Sequence, residues 1–161
     1  MSRSAVFARI PAAAAAVALV AGLSACGGGG SPTGSSGSGN TTPPPSTVTT
    51  TLPTFTFNSV APSVVVFTDV TINGTGTLSL VADWTFPSSD IDVYVTATSC
   101  GATNITNLQS GCAAVGRTTA TSVKPERLTV NVTQGNYRLW IANFGPSTES
   151  GTLQATATVT R

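Results

Sequence analysis

Histidine is absent from the 161 residues, and only 8% of the residues are charged. A nucleophilic side chain needs a base within reach, and histidine is the commonest one. Lys124 is the only lysine. It is followed by Pro125 and Glu126, which indicates an exposed turn, and no motif makes it part of a serine–lysine pair. The sequence therefore predicts a protein that is not an enzyme.

Basic residues are also scarce. Two of the seven cations, Arg3 and Arg9, lie at the very start of the chain, which leaves five cations against six acids in the rest. Nucleic-acid binding requires a basic patch. We therefore expect no nucleic-acid partner.

A hydrophobic run long enough to cross a membrane is missing as well. The apolar segment from Ile10 to Leu23 is shorter than the ~20 residues of a spanning helix, and Pro11 interrupts it. A basic start, a short apolar region and a junction of small residues are instead typical of a secretory signal. We predict that residues 1–25 are a signal peptide.

The junction reads Leu23-Ser24-Ala25-Cys26 and resembles the lipobox of bacterial lipoproteins. That resemblance implies cleavage before Cys26 and attachment of acyl chains such as palmitate to it, and more than one chain anchors a protein stably. Gly27 stands where an aspartate would be the inner-membrane retention signal, so the resemblance favours the outer membrane. The alternative is an ordinary signal peptide cut after Ala25.

Only two cysteines remain once Cys26 is assigned, and they are Cys100 and Cys112. An exported protein lies in an oxidising compartment that permits disulfides. The small, polar segment between the two is typical of a loop, and we predict that a disulfide closes it. The alternative, a metal pair, lacks two of the four ligands of a tetrahedral site.

Residues 26–52 follow the signal and are rich in glycine, serine, threonine and proline. They show no apolar periodicity, and such a composition is typical of a flexible linker. We therefore predict three parts: the signal at 1–25, a lipidated cysteine with its linker at 26–52, and a folded domain at 53–161.

The folded part alternates apolar and polar residues in short runs that are separated by turn residues. Thr77 to Phe86 is the clearest run, with Leu78, Leu80, Ala82, Trp84 and Phe86 on one face. Period two predicts half-buried strands, and several such runs predict an all-β domain, an antiparallel β-sandwich. Trp84 lies in the aliphatic stripe and is predicted to be in the core.

Asp90, Asp92 and Tyr94 begin one strand, Gly135 and Tyr137 form a Gly-x-Tyr strand, and a last strand runs from Gly151 to Val159. These three segments resemble the aspartate-led strand, the Gly-x-Tyr strand and the last strand of the bacterial pre-peptidase C-terminal domain. The likeness covers roughly 63–161 and implies a jelly-roll-like sandwich that accompanies secreted enzymes or binds matrix polymers. The segment between Cys100 and Cys112 is an insertion relative to that family.

Acidic residues near one turn suggest a possible calcium site. Asp90 and Asp92 lie two apart on one strand face, and Asp83 lies near the end of the preceding strand. Calcium requires several oxygen ligands. The alternative is that these aspartates cap a turn and are solvated.

Tyr94 and Trp140 fall on faces opposite the aliphatic stripes, beside Asp92 and Arg138. Exposed aromatic side chains with polar neighbours stack on sugars or anchor protein partners. We therefore predict an envelope-anchored, non-catalytic module that binds polysaccharide or protein through these four residues. A structural or assembly subunit of an envelope complex is the alternative function, and burial of Trp140 beneath the Cys100–Cys112 loop is the alternative placement.

Overall fold

The computed structural model describes residues 44–121 and 123–161, and most of them lie in strands. The strands are β1 (Thr47–Thr51), β2 (Phe55–Val60), β3 (Val65–Ile72), β4 (Thr75–Trp84), β5 (Ile91–Ala97), β6 (Ala114–Arg117), β7 (Glu126–Val132), β8 (Gly135–Asn143) and β9 (Glu149–Thr160). One short helix, α1 (Ile105–Gly111), lies between β5 and β6. Threonine and valine are abundant in these strands because they suit a pleated, half-buried surface.

The strands form two antiparallel sheets. In sheet A the order is β1-β9-β4-β7, and β2 also pairs with β9, beyond β1 along the same edge. In sheet B the order is β3-β8-β5-β6. The predicted antiparallel β-sandwich is therefore confirmed.

The main core lies between the inner faces of the two sheets. Sheet B contributes Ile72, Ile91, Val93, Val95, Leu139 and Ile141, and the aliphatic stripes of β4, β7 and β9 face them from sheet A. Trp84 belongs to this core and is 4% exposed, as predicted. Removing this apolar surface from water is the main stabilising contribution to the fold.

A second, smaller cluster covers the outer face of sheet B. Cys100 and Cys112 form the predicted disulfide, and the segment that it closes carries α1. Ile105 and Leu108 of the helix pack onto Tyr94 and Trp140. Asn104 caps the helix, because its side-chain oxygen accepts a hydrogen bond from the main-chain N–H of Asn107 at 2.9 Å.

Three sequence predictions need correction. Strand β1 lies inside the range 26–52 that was predicted to be linker, because its backbone pairs with β9 from Thr47 to Thr51. The segment between the disulfide cysteines contains a helix where a loop was predicted. Phe86 does not continue the core stripe of β4, since the strand ends at Trp84 and Phe86 is exposed. The predicted signal, Cys26 and most of the linker lie outside the described residues.

The strand directions give the sandwich two different ends. At one end lie the β3–β4 and β7–β8 turns, and there Ser46 and Arg161 exchange main-chain hydrogen bonds. The opposite end carries four connections, 61–64, 85–90, 118–125 and 144–148, which we call the loop end. No helix in the described part of the chain has the length and hydropathy needed to cross a membrane.

Candidate functional site

The loop end presents four large apolar side chains to solvent, one from each connection. Val64 is 39% exposed, Phe86 48%, Val123 51% and Phe144 37%. The other large hydrophobic side chains that are exposed in the described residues, Phe67 and Val115, lie on strands. Single exposed apolar residues are ordinary, but here one end of the sandwich concentrates them.

Main-chain hydrogen bonds make three of these connections neighbours. Asn143, just before the last connection, exchanges bonds with the first one: Ser63 N donates to its carbonyl at 2.8 Å, and its N–H donates to Val64 O at 3.1 Å. Phe144 N donates to Asp90 O at 2.8 Å. The side chains of Val64, Phe86 and Phe144 are therefore carried by loops in direct contact.

Asn143 is fully buried and fastens the loop end from below. Its Nδ2 donates to Val60 O at 2.8 Å and to Ser147 O at 2.7 Å, while its Oδ1 accepts from Gly145 N at 2.9 Å. A buried amide with all these partners holds the loops in one arrangement. The exposed apolar side chains of these loops are thus held by a rigid backbone.

Glu149 holds the 85–90 connection in place in a similar way. Its side chain is fully buried, and its Oε2 accepts from the main-chain N–H groups of Thr85 and Phe86, each at 3.2 Å. Because a buried acceptor binds two consecutive main-chain N–H groups, this contact fixes the backbone that carries the Phe86 side chain.

Lys124 links the 118–125 connection to the end of β4. Its Nζ lies 3.3 Å from Asp83 Oδ1 and also donates to the main-chain oxygen of Trp84. Lys124 therefore has a structural role, because it connects the two elements.

The predicted aromatic site is not available to a ligand in this structure. Trp140 is 0% exposed and Tyr94 is 2% exposed, since α1 covers both rings. Trp140 Nε1 donates to Thr96 Oγ1 at 2.9 Å. The alternative placement, burial beneath the disulfide-closed segment, is the one that the structure has.

Arg138, the third predicted residue, is engaged within the fold. Its Nε and Nη2 donate to the two carboxylate oxygens of Asp69 at 2.6 and 2.7 Å, and its Nη1 donates to Cys100 O at 2.8 Å. The guanidinium group also lies 3.9 Å from the centre of the Phe67 ring. The hydrogen bond from Arg138 lowers the pKa of Asp69. Arg138 therefore joins β3, β8 and the disulfide loop.

Asp92, the fourth, is not the solvated residue that its strand position suggested. It is 7% exposed, and Thr118 Oγ1 lies 3.5 Å from its Oδ1. Burial, and then the negative charges of Asp90 and Glu126, raise the pKa of Asp92 to about 7, although Thr118 and Arg117 oppose the rise.

The three aspartates of the predicted calcium site are divided by the fold. Asp90 and Asp92 lie close enough to interact electrostatically, but Asp83 points from β4 toward Lys124. Among the described residues, no group of three or more acidic, histidine or cysteine side chains is arranged to hold a metal ion. Asp83 therefore has an ion-pair partner in place of the predicted cation.

A surface hollow of about 340 Å³ lies at the β4–β7 edge, far from the loop end. Thr75, Gly76, Thr77, Asn131, Val132 and Thr133 line it. None of these side chains is an acid or a base, so the hollow offers no chemistry for proton transfer.

Sequence reasoning missed Glu126, Asn143 and Glu149, which lie at the loop end. A usable signal was present, because each falls in phase with an apolar stripe: Glu126 with β7, Asn143 with β8, and Glu149 with β9. A polar residue at a position where the alternation predicts a buried side chain indicates a buried polar group that needs hydrogen-bond partners.

Comparisons with known proteins give only distant similarities. No family model matches the sequence, and no curated protein does. The mitogen derived from Yersinia pseudotuberculosis superposes with a TM-score of 0.42 at 20% identity, over 70% of this chain and 86% of its own. A carbohydrate-binding module of Cellvibrio mixtus lichenase 5A, solved with cellotriose, has a TM-score of 0.42 at 9% identity, over 70% and 96%.

The periplasmic inhibitor of g-type lysozyme from Aeromonas hydrophila, PliG, has a TM-score of 0.37 at 15% identity, over 70% of this chain and 85% of its own. At such identities and TM-scores, these likenesses carry no argument about what this chain binds.

Proposed function

We propose that this protein is a lipid-anchored envelope protein whose β-sandwich is a non-catalytic binding module for polysaccharide or protein, and that the loop end is its binding surface. The observation that carries the proposal is the exposure of Val64, Phe86, Val123 and Phe144 on four connections at one end of the domain. Concentrated exposed apolar groups mark interaction sites, and loops on a rigid scaffold commonly carry binding residues.

The position of the chain's entry supports the same surface. The segment that precedes the sandwich joins it at Ser46, beside Arg161, at the end opposite the loop end. An anchor at Cys26 would therefore attach the domain through the end opposite the proposed binding surface. The loop end would stay accessible to a partner in the envelope.

Replacement of the phenylalanines tests the binding surface. Phe86→Ser with Phe144→Ser should weaken capture of the ligand, on glycan arrays or in pull-downs from the envelope, by about tenfold or more, as expected for loss of apolar anchors. Val115→Ser, an equally exposed residue on β6, is the matched control. Equal binding by the double variant and the wild type would remove the loop end as the site.

The anchor is tested separately. Cys26→Ser should move the protein from the membrane fraction to the soluble fraction, because a stable attachment depends on the acyl chains. Mass spectrometry of the native protein should show the acyl chains on residue 26. An unmodified thiol at residue 26 would contradict the lipoprotein assignment.

A subunit of an envelope complex remains the alternative function, and the pull-down separates the two. A membrane protein that copurifies in fixed proportion, with no binding on the glycan array, would favour the assembly role. Both roles predict that the Phe86 and Phe144 variants lose the partner.

A further inference from the structure

Two buried carboxyl groups lie near Thr118, at the base of the loop end. Asp92 of β5 is 7% exposed and Glu126 of β7 is 3% exposed. Thr118 Oγ1 accepts from Val93 N at 2.9 Å and lies 3.5 Å from Asp92 Oδ1, and the same hydroxyl group also influences the pKa of Glu126. A hydroxyl group donates one proton, so it serves only one of the two carboxylates at a time. Glu126 Oε2 has no hydrogen-bond partner among the described residues.

The charges around this pair favour retention of a proton. Asp90, just before β5, adds negative charge to both groups, and the exposed Arg117 of β6 is the cation that acts on Asp92. Tyr94 lies next on the same face of β5, and burial raises its pKa. Strand β8 contributes the uncharged Ala142 opposite Asp92. Two buried carboxylates that interact electrostatically are costly unless one is protonated.

The pair also lies where the strands meet the connections of the loop end. Thr118 and Glu126 bracket the 118–125 connection, which carries Val123 and Lys124. The main-chain oxygen of Asp90 holds Phe144 N of the last connection. A change in the charge of the pair therefore acts on the loops that form the binding surface.

We propose that a proton held by the Asp92 and Glu126 pair fastens the 118–125 connection to the start of β5, and that its release loosens the loop end. Loss of that proton to solvent leaves two carboxylates, which repel each other across Thr118. At acidic pH the loops are held, and above neutral pH they open more often. The regulation of binding rests on the proposed function, whereas the loosening itself does not.

Amide hydrogen exchange on the full-length protein, without any ligand, tests the proposal. Rates are expressed as protection factors, which removes the intrinsic acceleration of exchange with pH. Between pH 5.5 and pH 8.5, protection over 118–126 should fall by about tenfold or more, because local opening sets the exchange rate. Protection of the edge strand β1, Thr47–Thr51, should stay constant over the same range, because this strand pairs only with β9 and can open while Asp92 stays buried.

Asp92→Asn mimics the protonated acid and should keep the loop protected at pH 8.5. Asp69→Asn, which removes a surface carboxylate far from the pair, should retain the wild-type profile. If Asp92→Asn fails to fold, Glu126→Gln makes the same prediction. Constant protection in the wild type, or an undiminished fall in the Asn and Gln variants, would overturn the proposal. Absence of a partner would leave this result unaffected.

Discussion

Asp92 is expected to make the stability of the fold depend on pH. Its pKa of about 7 in the folded protein lies above its ordinary value of 3.8, so between these two values the folded protein holds a proton that the unfolded chain has lost. The free energy of unfolding must then fall as pH rises from about 4 to 7. The decrease is at most about 4 kcal/mol, at about 1.4 kcal/mol per pKa unit.

Asp92→Asn should remove this decrease. The variant should be more stable than the wild type at pH 8 and no more stable at pH 4, as judged by urea unfolding at the two values. A wild-type protein whose unfolding midpoint rises between pH 5 and pH 8, with no gain for Asp92→Asn, would show that burial does not hold the proton.

Trp140 is predicted to contribute to stability through packing. Its ring is fully buried beneath α1 and lies 4.9 Å from the ring of Phe67. Trp140→Ala should destabilise the protein by about 3–5 kcal/mol, which is typical of a large-to-small substitution in a core. Trp140→Phe should cost less, because most of the ring contacts remain. Urea unfolding measures both, and a cost below about 1 kcal/mol for the alanine variant would place the ring in solvent.

The phase of Tyr94 and Trp140 was predictable from sequence, whereas their burial was not. Alternation along one strand gives the face of each residue, and that prediction was right for both. Burial depends on what covers the face, and the covering helix α1 is distant from Trp140 in the chain. The same limitation applies to Asp92, because Thr118 and Glu126, which influence it, are distant from it in the chain.

At the scale of elements, the disulfide holds α1 against sheet B. It joins Cys100 to Cys112, twelve residues apart, and a closed loop of this size is worth about 3 kcal/mol in the chain-entropy model. Cys100→Ser with Cys112→Ser should lower the free energy of unfolding by about this amount and increase exchange of the Ile105–Gly111 amides. An unchanged urea midpoint would show that packing alone holds the helix.

Strand β1 extends the folded domain beyond its predicted start. Thr49 and Thr158 face each other and share a hydrogen bond at 3.0 Å between their hydroxyl groups. A chain that lacks residues 1–52 should have a lower melting temperature than one that lacks residues 1–43, because the edge of β9 loses its partner. Equal melting temperatures would show that Thr47–Thr51 does not stabilise the fold and belongs to the linker.

Composition explains why β1 was assigned to the linker. Thr47–Thr51 carries a single aliphatic side chain, Val48, and four of its five residues are exposed. The strand is held by main-chain pairing with β9. Its sequence therefore lacks the alternating apolar residues from which a strand is predicted. The interior strands β4, β5 and β8 were predictable because their inward residues are almost all apolar.

At the scale of the whole molecule, the two ends of the sandwich differ in what they expose. One end receives the chain at Ser46, and the other gathers four connections with exposed apolar tips. A sandwich was predictable from strand number and spacing. The loop end was not, because its members are far apart in sequence and only the pairing of the strands brings them together.

The most direct test of the loop end is site-specific photocrosslinking in intact cells. A photoreactive phenylalanine analogue placed at Phe86 should give a defined adduct with an envelope component, several-fold stronger than the same analogue at Val115, a site of similar exposure on β6. This contrast is expected because apolar groups at the centre of an interface contact the partner. Equal adducts at both positions, or adducts only at Val115, would contradict it.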